Sequence, residues 1–354
     1  MSGNRRQNKH TRQIPHLGML FFALIIGLLS FRTLRAGQQQ FADLGNFPLL
    51  NGQIIKNCRL GFRIYGKMDS ARSNVILFPT WFGGQSAHIG WVLGKGKLVD
   101  TTRYCVIAID ALGNGISSSP SNSLEQPGEK FPEFTIADMV RAQHLFVRKH
   151  LGLNHVLAVM GGSMGGMQTF EWMVRYPRFM DKAIPYVGTP QFGPYDILEW
   201  RQILNMVELG WRYGMPQDSI RGMVNALTTL LVRTPQWVAT HYKVEQMDSL
   251  FGTFFKGEPK IFTNANLASQ IKAMLKHDVA GSWGGDLRKA ARRVKARVLI
   301  IQVSSDHMVN SLNALKFARF VHARTFVFDS PCGHLGIGCN MAEVSKEITN
   351  FLAE

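Results

Sequence analysis

The segment that most constrains the fold is Gly161-Gly-Ser-Met-Gly165, which matches the pattern G-x-S-x-G. It follows an apolar run at 155–160 and precedes a stretch with helical periodicity at 164–175. In that context the motif predicts a sharp strand-to-helix turn that lifts the Ser163 hydroxyl above the sheet. Glycines are needed because the strained turn leaves no room for bulky neighbours. The motif by itself also allows a glycine-rich turn with a capping serine.

Around this turn, short β-rich runs alternate with longer helical stretches, which predicts parallel strands joined by crossover helices. Continuous apolar runs are typical of strands buried on both faces. They lie at 74–78, 104–109, 155–160, 182–187, 297–302 and 324–328, after an antiparallel strand or hairpin at 54–65. Helices are predicted at 136–150, 164–175, 311–321 and 341–353. The sequence therefore predicts an α/β fold with a mostly parallel, eight-stranded sheet flanked by helices.

From about residue 189 to residue 296 the strand rhythm disappears and the sequence becomes helical, rich in Met, Leu and Trp. We interpret 189–296 as a helical lid inserted between strands. The core then consists of residues 38–188 and 297–354. A chain of 354 residues has room for one large domain with such an insertion.

A serine hydroxyl needs a base to take its proton, and a carboxylate to orient that base. In strand-turn-helix proteins with this motif the order along the chain is Ser, Asp, His. Asp306 follows the run at 297–302, and His334 follows the run at 324–328. The carboxyl ends of parallel strands meet at one edge of the sheet, so we expect Ser163, Asp306 and His334 to converge there. Asp329 and His307 are the rival acid and base.

The oxyanion of an acyl-transfer reaction needs two backbone donors. The residue after the nucleophile, Met164, supplies one, and the loop after the run at 74–78 supplies the other. Pro79 in that loop has no N–H, so Thr80 is the predicted second donor and Trp81 the alternative. Trp81 is also a candidate substrate contact.

A separate feature precedes residue 38. A basic stretch up to Arg12 is followed by an apolar run from Leu17 to Phe31, which is shorter than the ~20 residues of a comfortable bilayer span. A charged start and a short apolar run are typical of a secretory signal, so residues 1–37 predict a signal peptide or an uncleaved signal anchor. The protein is then exported, or anchored with its catalytic part outside. A buried N-terminal helix is the alternative.

The formal charge is +16 and is spread along the chain without a basic recognition helix, which argues against nucleic acid as a partner. Of the four cysteines, none forms a zinc-binding spacing, so no metal is predicted. In an exported protein Cys332 and Cys339 could form a disulfide, whereas Cys105, inside an apolar run, is expected to be a buried thiol.

The segment 161–168 (GGSMGGMQ), Glu171-Trp172 and the stretches at 113–120 and 134–143 resemble homoserine O-acetyltransferases. This resemblance implies the α/β-hydrolase fold, a helical lid and a ping-pong mechanism in which Ser163 takes an acyl group from a donor. No cofactor is predicted. Arg201-Gln202 is similar to an arginine-glutamine pair of that family, which makes Arg201 a candidate substrate contact. At 188–194 this chain has a different segment from the family's, so the acceptor stays open. A homodimer is also left open.

We therefore expect a serine acyltransferase or hydrolase that uses a small-molecule acyl donor and a hydroxyl acceptor or water. An exported esterase that passes the acyl group to water is one alternative. A binding protein that has kept the fold without catalysis is the other.

Overall fold

The computed structural model describes residues 37–354, which form an eight-stranded sheet in the order β1-β2-β4-β3-β5-β6-β7-β8. The first two strands are antiparallel to their neighbours and the other pairs are parallel. The strands are β1 (Gln40–Pro48), β2 (Ile54–Tyr65), β3 (Val75–Pro79), β4 (Cys105–Ile109), β5 (Val156–Gly162), β6 (Met180–Tyr186), β7 (Arg297–Val303) and β8 (Arg324–Phe328).

Helices cover both faces of the sheet, as the alternating sequence pattern requires. Those in the core are α1 (Ser86–Ile89), α2 (Ile136–Lys149), α3 (Met164–Arg175), α10 (Leu312–Val321), α11 (Gly336–Cys339) and α12 (Met341–Ala353). One apolar cluster joins α2 and α3 to the sheet, and a second joins α12 to the opposite face. The predicted eight-stranded α/β sheet with flanking helices is confirmed.

The stretch interpreted as a lid lies between β6 and β7 and is helical. It comprises α4 (Pro194–Arg212), α5 (Gln217–Val232), α6 (Pro235–His241), α7 (Met247–Thr253), α8 (Asn264–Leu275) and α9 (Leu287–Ala291). The long helix α4 packs against α5 and α8, and its residues Trp200, Ile203 and Val207 are buried in the apolar core. These helices bring polar and apolar side chains over the end of the sheet that carries Ser163.

Two strands differ from the sequence-based expectation. The strand β1 was not predicted separately from the strand or hairpin at 54–65. It pairs only with β2, and register shifts around Gly45 interrupt that pairing. The strand β8 was expected to be buried on both faces, but Arg324, Thr325 and Val327 are exposed because β8 is an edge strand.

The predicted signal segment, 1–37, lies outside the described residues except for Gly37, and it stays a prediction. Among residues 37–354, no helix has the length and apolar character needed to cross a bilayer.

Candidate active site

The turn between β5 and α3 holds Ser163 in a conformation that few side chains adopt, with φ 55° and ψ −124°. Tight packing around the turn explains why glycines are needed there. A Cβ on Gly162 would lie 2.1 Å from the Tyr186 ring, and a Cβ on Gly165 would lie 2.5 Å from the carbonyl oxygen of Pro79. The predicted strand, turn and helix are therefore present, and the turn projects Ser163 into a cavity.

Three side chains from separate loops meet at the carboxyl edge of the sheet. The imidazole Nε2 of His334 lies 3.0 Å from the Ser163 hydroxyl oxygen. Its Nδ1 lies 2.7 Å from Asp306 Oδ2. A carboxylate only accepts hydrogen bonds, so Nδ1 carries the imidazole proton and Nε2 is free to accept the serine proton. This arrangement suits transfer of the serine proton to His334 during nucleophilic attack.

Asp306 is fixed by the backbone of its own loop. Its Oδ1 accepts hydrogen bonds from the N–H groups of Met308 (2.8 Å) and Val309 (3.1 Å). The next N–H of that loop, from Asn310, donates to the carboxylate of Asp196 at the start of α4 (2.7 Å). This bond ties α4 to the Asp306 loop. The rivals are excluded by position, because Asp329 and His307 are exposed and Asp329 accepts a hydrogen bond from Ser304 instead.

The loop that carries His334 is closed covalently. Cys332 and Cys339 form a disulfide, as the sequence allowed, and the bond encloses His334. Pro331 precedes Cys332, and its carbonyl oxygen accepts hydrogen bonds from the Thr234 hydroxyl (2.6 Å) and from the Thr234 N–H (3.4 Å). His334 is thus positioned from two sides, by a covalent loop and by the start of α6.

The second predicted oxyanion donor needs correction. The N–H of Thr80 donates to the Ile109 carbonyl at 3.0 Å and extends the ladder between β3 and β4, so it is occupied. Trp81 lines the cavity next to Ser163, and its N–H has no acceptor within residues 37–354. Trp81, the alternative named from the sequence, is therefore the available second donor. Met164 stands first in α3, where helical N–H groups have no partner in their own helix.

The cavity above Ser163 has a volume of about 450 Å³ and a mostly apolar lining. Phe82 and Phe262 pack edge to face on one side, with ring centroids 5.3 Å apart. Val224 and Val232 of α5 contribute to the cap side of the lining. A cavity of this size and character suits a small, largely apolar ligand.

Comparison with known proteins agrees with this fold. Residues 74–338 match the family of the alpha/beta hydrolase fold. The chain belongs to the α/β-hydrolase family. An ethyl acetate hydrolase of Pseudomonas veronii is 30% identical over 90% of this chain and 95% of its own length. A homoserine O-acetyltransferase of Trichlorobacter lovleyi is 31% identical over 73% of this chain and 80% of its own length.

Solved structures lead to the same family. An acetylester hydrolase from Corynebacterium glutamicum superposes with a TM-score of 0.81 at 26% identity, over 90% of this chain and 97% of that one. The resemblance to homoserine O-acetyltransferases inferred from the sequence is confirmed, as is the α/β-hydrolase fold. Esterases and acetyltransferases are both relatives, so this α/β-hydrolase is an enzyme of the esterase and acyltransferase group.

One predicted substrate contact of this α/β-hydrolase is wrong. Arg201 lies on the exposed side of α4 and does not line the cavity. It follows the buried residue Trp200 in α4 but is itself exposed to solvent. Trp81, the other predicted contact, does line the cavity.

A polar stripe on α5 was missed from the sequence. Arg221, Asn225 and Thr228 all line the cavity, and their spacing of four and three residues places them on one helical face. That spacing, among the mostly apolar residues that follow the first turn of α5, is the signal that could have revealed them. Arg221 is 4% exposed and donates to the Phe262 carbonyl at 2.6 Å, while its Nε has no partner within the described chain. Burial lowers the pKa of Arg221 to about 10, so it is charged at neutral pH.

A second missed residue is Glu199, a buried carboxyl on α4. Neither of its oxygens has a hydrogen-bond partner within residues 37–354. Burial, together with the smaller effect of the negative charges of Asp196 and Asp306, raises its pKa to about 9. Glu199 is therefore protonated at neutral pH and adds no second charge beside the Asp306 carboxylate.

Proposed function

We propose that the protein is a serine esterase that hydrolyses small carboxylic esters through an acyl-enzyme on Ser163. The observation that carries this proposal is the hydrogen-bonded series from Ser163 through His334 to Asp306, with distances of 3.0 and 2.7 Å, at the floor of an apolar cavity. Relatives that hydrolyse acetate esters and match this chain over nearly their whole length support hydrolysis.

In the first half of the reaction, the Ser163 oxygen attacks the ester carbonyl carbon while His334 Nε2 takes the hydroxyl proton. Asp306 keeps the imidazole oriented and stabilises its positive charge. The N–H groups of Met164 and Trp81 donate to the oxyanion. The intermediate then collapses, and His334 protonates the departing alcohol. In the second half a water molecule gives a proton to His334 and attacks the acyl carbon. The bond to the Ser163 oxygen then breaks, His334 returns the proton to that oxygen, and the carboxylic acid is released.

Acyl transfer to a hydroxyl acceptor is the second candidate function. It is favoured by the homoserine O-acetyltransferase relatives and by the polar stripe of Arg221, Asn225 and Thr228, which offers partners to a polar acceptor within the cavity. The two functions share the acyl-enzyme and differ only in what attacks it. The two functions are distinguished by measuring the products formed from an activated acetate ester with and without added alcohols, including homoserine. A new ester product, formed at the expense of acetate, indicates transfer.

The nucleophile is tested with a fluorophosphonate probe. Intact protein should gain one adduct on Ser163, and Ser163→Ala should lose both the adduct and ester turnover. Ser73→Ala, an exposed serine outside the cavity, should retain both. Turnover that persists in Ser163→Ala would overturn the proposed mechanism.

We also propose that the protein is exported. The apolar run 17–31 after a basic start supports this, and so does the Cys332–Cys339 disulfide, because disulfides persist in oxidising compartments. Fractionation of producing cells, with mass analysis of the mature N-terminus, tests it. A reduced protein found only in the cytosol would contradict it.

A further inference from the structure

A second concavity lies at the edge of the sheet opposite to Ser163 and has a volume of about 670 Å³. It is formed by the last turn of α2, the turn between α3 and β6, and the turn between α9 and β7. All of its charged lining residues are cationic: Arg148, Arg175, Arg178, Arg292, Arg293 and Lys295. We call this feature the basic concavity.

Most of these cations lack a counter-charge. Arg175 is the exception, because its Nε donates to the buried Glu171 carboxylate at 2.6 Å. The other five are exposed, and none forms an ion pair within residues 37–354. Grouped like charges repel one another, and a bound anion relieves that repulsion. The neutral lining residues Asn154 and Tyr176 add donors without adding negative charge.

We propose that the basic concavity binds a phosphate group with two or more negative charges. Five of its six cations are arginines, and the planar guanidinium donates two parallel hydrogen bonds to phosphate oxygens. A concave site offers such bonds from several directions, whereas a flat basic surface offers them from one. The phosphate group can belong to a soluble polyphosphate or to a lipid headgroup.

This site is separate from the proposed catalysis. The parallel strands place Ser163 and Asp306 after the carboxyl ends of β5 and β7, whereas Arg178 and Lys295 precede β6 and β7. A strand of seven residues spans roughly 23 Å. Phosphate binding therefore does not depend on the Ser163 acyl-enzyme, and the two proposals fail independently.

The test is calorimetric titration of the full chain with pyrophosphate at low ionic strength. We expect saturable binding that the double variant Arg148→Gln/Arg293→Gln weakens about tenfold or more, since each charged hydrogen bond is worth that factor. A second pair, Arg292→Gln/Lys295→Gln, should act similarly. Both pairs are exposed and distant from Ser163, so ester turnover should stay at the wild-type level.

The matched control is Lys316→Gln/Arg319→Gln, which removes the same charge from the exposed face of α10 outside the concavity. It should leave pyrophosphate affinity within about twofold of wild type. Equal weakening in the control pair would show that binding reflects net charge alone, and would overturn the proposal.

A parallel experiment distinguishes the source of the phosphate. Vesicles of phosphatidylcholine with and without phosphatidic acid are sedimented with wild type and with the same variants. Retention that needs phosphatidic acid and is lost in Arg148→Gln/Arg293→Gln assigns the site to a lipid headgroup, even without pyrophosphate binding. If neither pyrophosphate nor phosphatidic acid vesicles distinguish these variants from the control pair, the proposal is wrong.

Discussion

Reduction of the Cys332–Cys339 disulfide should weaken both the stability and the proposed activity of this protein. The bond closes a loop of sequence separation 7 that contains His334. Loop-closure entropy for so short a loop is worth about 2.5 kcal/mol of unfolding free energy. For a folded unit of this size that corresponds to a decrease in Tm of about 4 °C.

The effect on catalysis should exceed the effect on stability. His334 must hold its Nε2 at 3.0 Å from the Ser163 oxygen, and displacement by about 1 Å can cost up to 10²-fold in rate. Hydrogen bonds from Thr234 to Pro331 still restrain the loop after reduction, so we expect an intermediate decrease in kcat of about tenfold. KM should change less, because most of the cavity lining lies outside the disulfide loop, although Leu335, Ile337 and Gly338 within the loop also line the cavity.

The assay compares oxidised and reduced protein in the hydrolysis of p-nitrophenyl acetate, with calorimetric Tm measured on the same samples. Alkylation of the reduced protein under non-denaturing conditions should modify only Cys332 and Cys339. Cys58 and Cys105 are buried, and burial raises the pKa of their thiols to about 12 and about 11. The variant Cys332→Ser/Cys339→Ser should match the reduced protein and be insensitive to reductant. Unchanged kcat and Tm in protein proven to be reduced would refute the reasoning.

Three further predictions concern the site and its turn. Asp306→Asn should lower kcat for ester hydrolysis about 10⁴-fold with little change in Tm, because the imidazole loses its orienting carboxylate; a decrease below tenfold would contradict the proposed role. Gly162→Ala should cost about 3 kcal/mol in urea unfolding, since its Cβ would meet the Tyr186 ring at 2.1 Å, whereas Gly252→Ala in α7 meets nothing within 4 Å and should be neutral or stabilising; equal costs would show that the turn is not tightly packed. Burial raises the pKa of Glu199 from 4.5 to about 9, so the unfolded chain binds fewer protons than the folded chain between those values and stability falls as pH rises. Glu199→Gln removes that dependence, and its Tm relative to wild type should increase by at least about 2 °C from about pH 6 to pH 8.5; a constant difference would place the pKa of Glu199 outside this range.

The elements of the core were predictable because each has a local signal. The predicted strand at 155–160 is observed at 156–162, and the predicted helix at 341–353 is observed with the same bounds. The candidate triad was also predictable, since loops after parallel strands converge at one edge whatever their separation in sequence.

Other parts depended on three-dimensional context. The choice between Thr80 and Trp81 rests on where the ladder between β3 and β4 ends, and a sequence does not mark that point. Arg201 was misassigned because resemblance to a motif does not give the phase of the helix that carries it. Glu199 has no local signal, because only the packing of α4 against the Asp306 loop buries its carboxyl beside another acid.

The division between sheet and cap suggests which substitutions alter reactivity and which alter selectivity. The proposed reactive groups belong to loops of the sheet, whose positions are fixed by strand register, by backbone bonds to Asp306 and by the disulfide around His334. Arg221, Asn225 and Thr228 belong to α5, which contacts the cavity without contributing to the hydrogen-bonded series. Their replacement should therefore change which ester or acceptor is used more than how fast Ser163 is acylated by a small activated ester. The cap is joined to the His334 loop through Thr234 and Pro331, and to the Asp306 loop through Asp196 and Asn310, so movement of the cap would act on both of these loops.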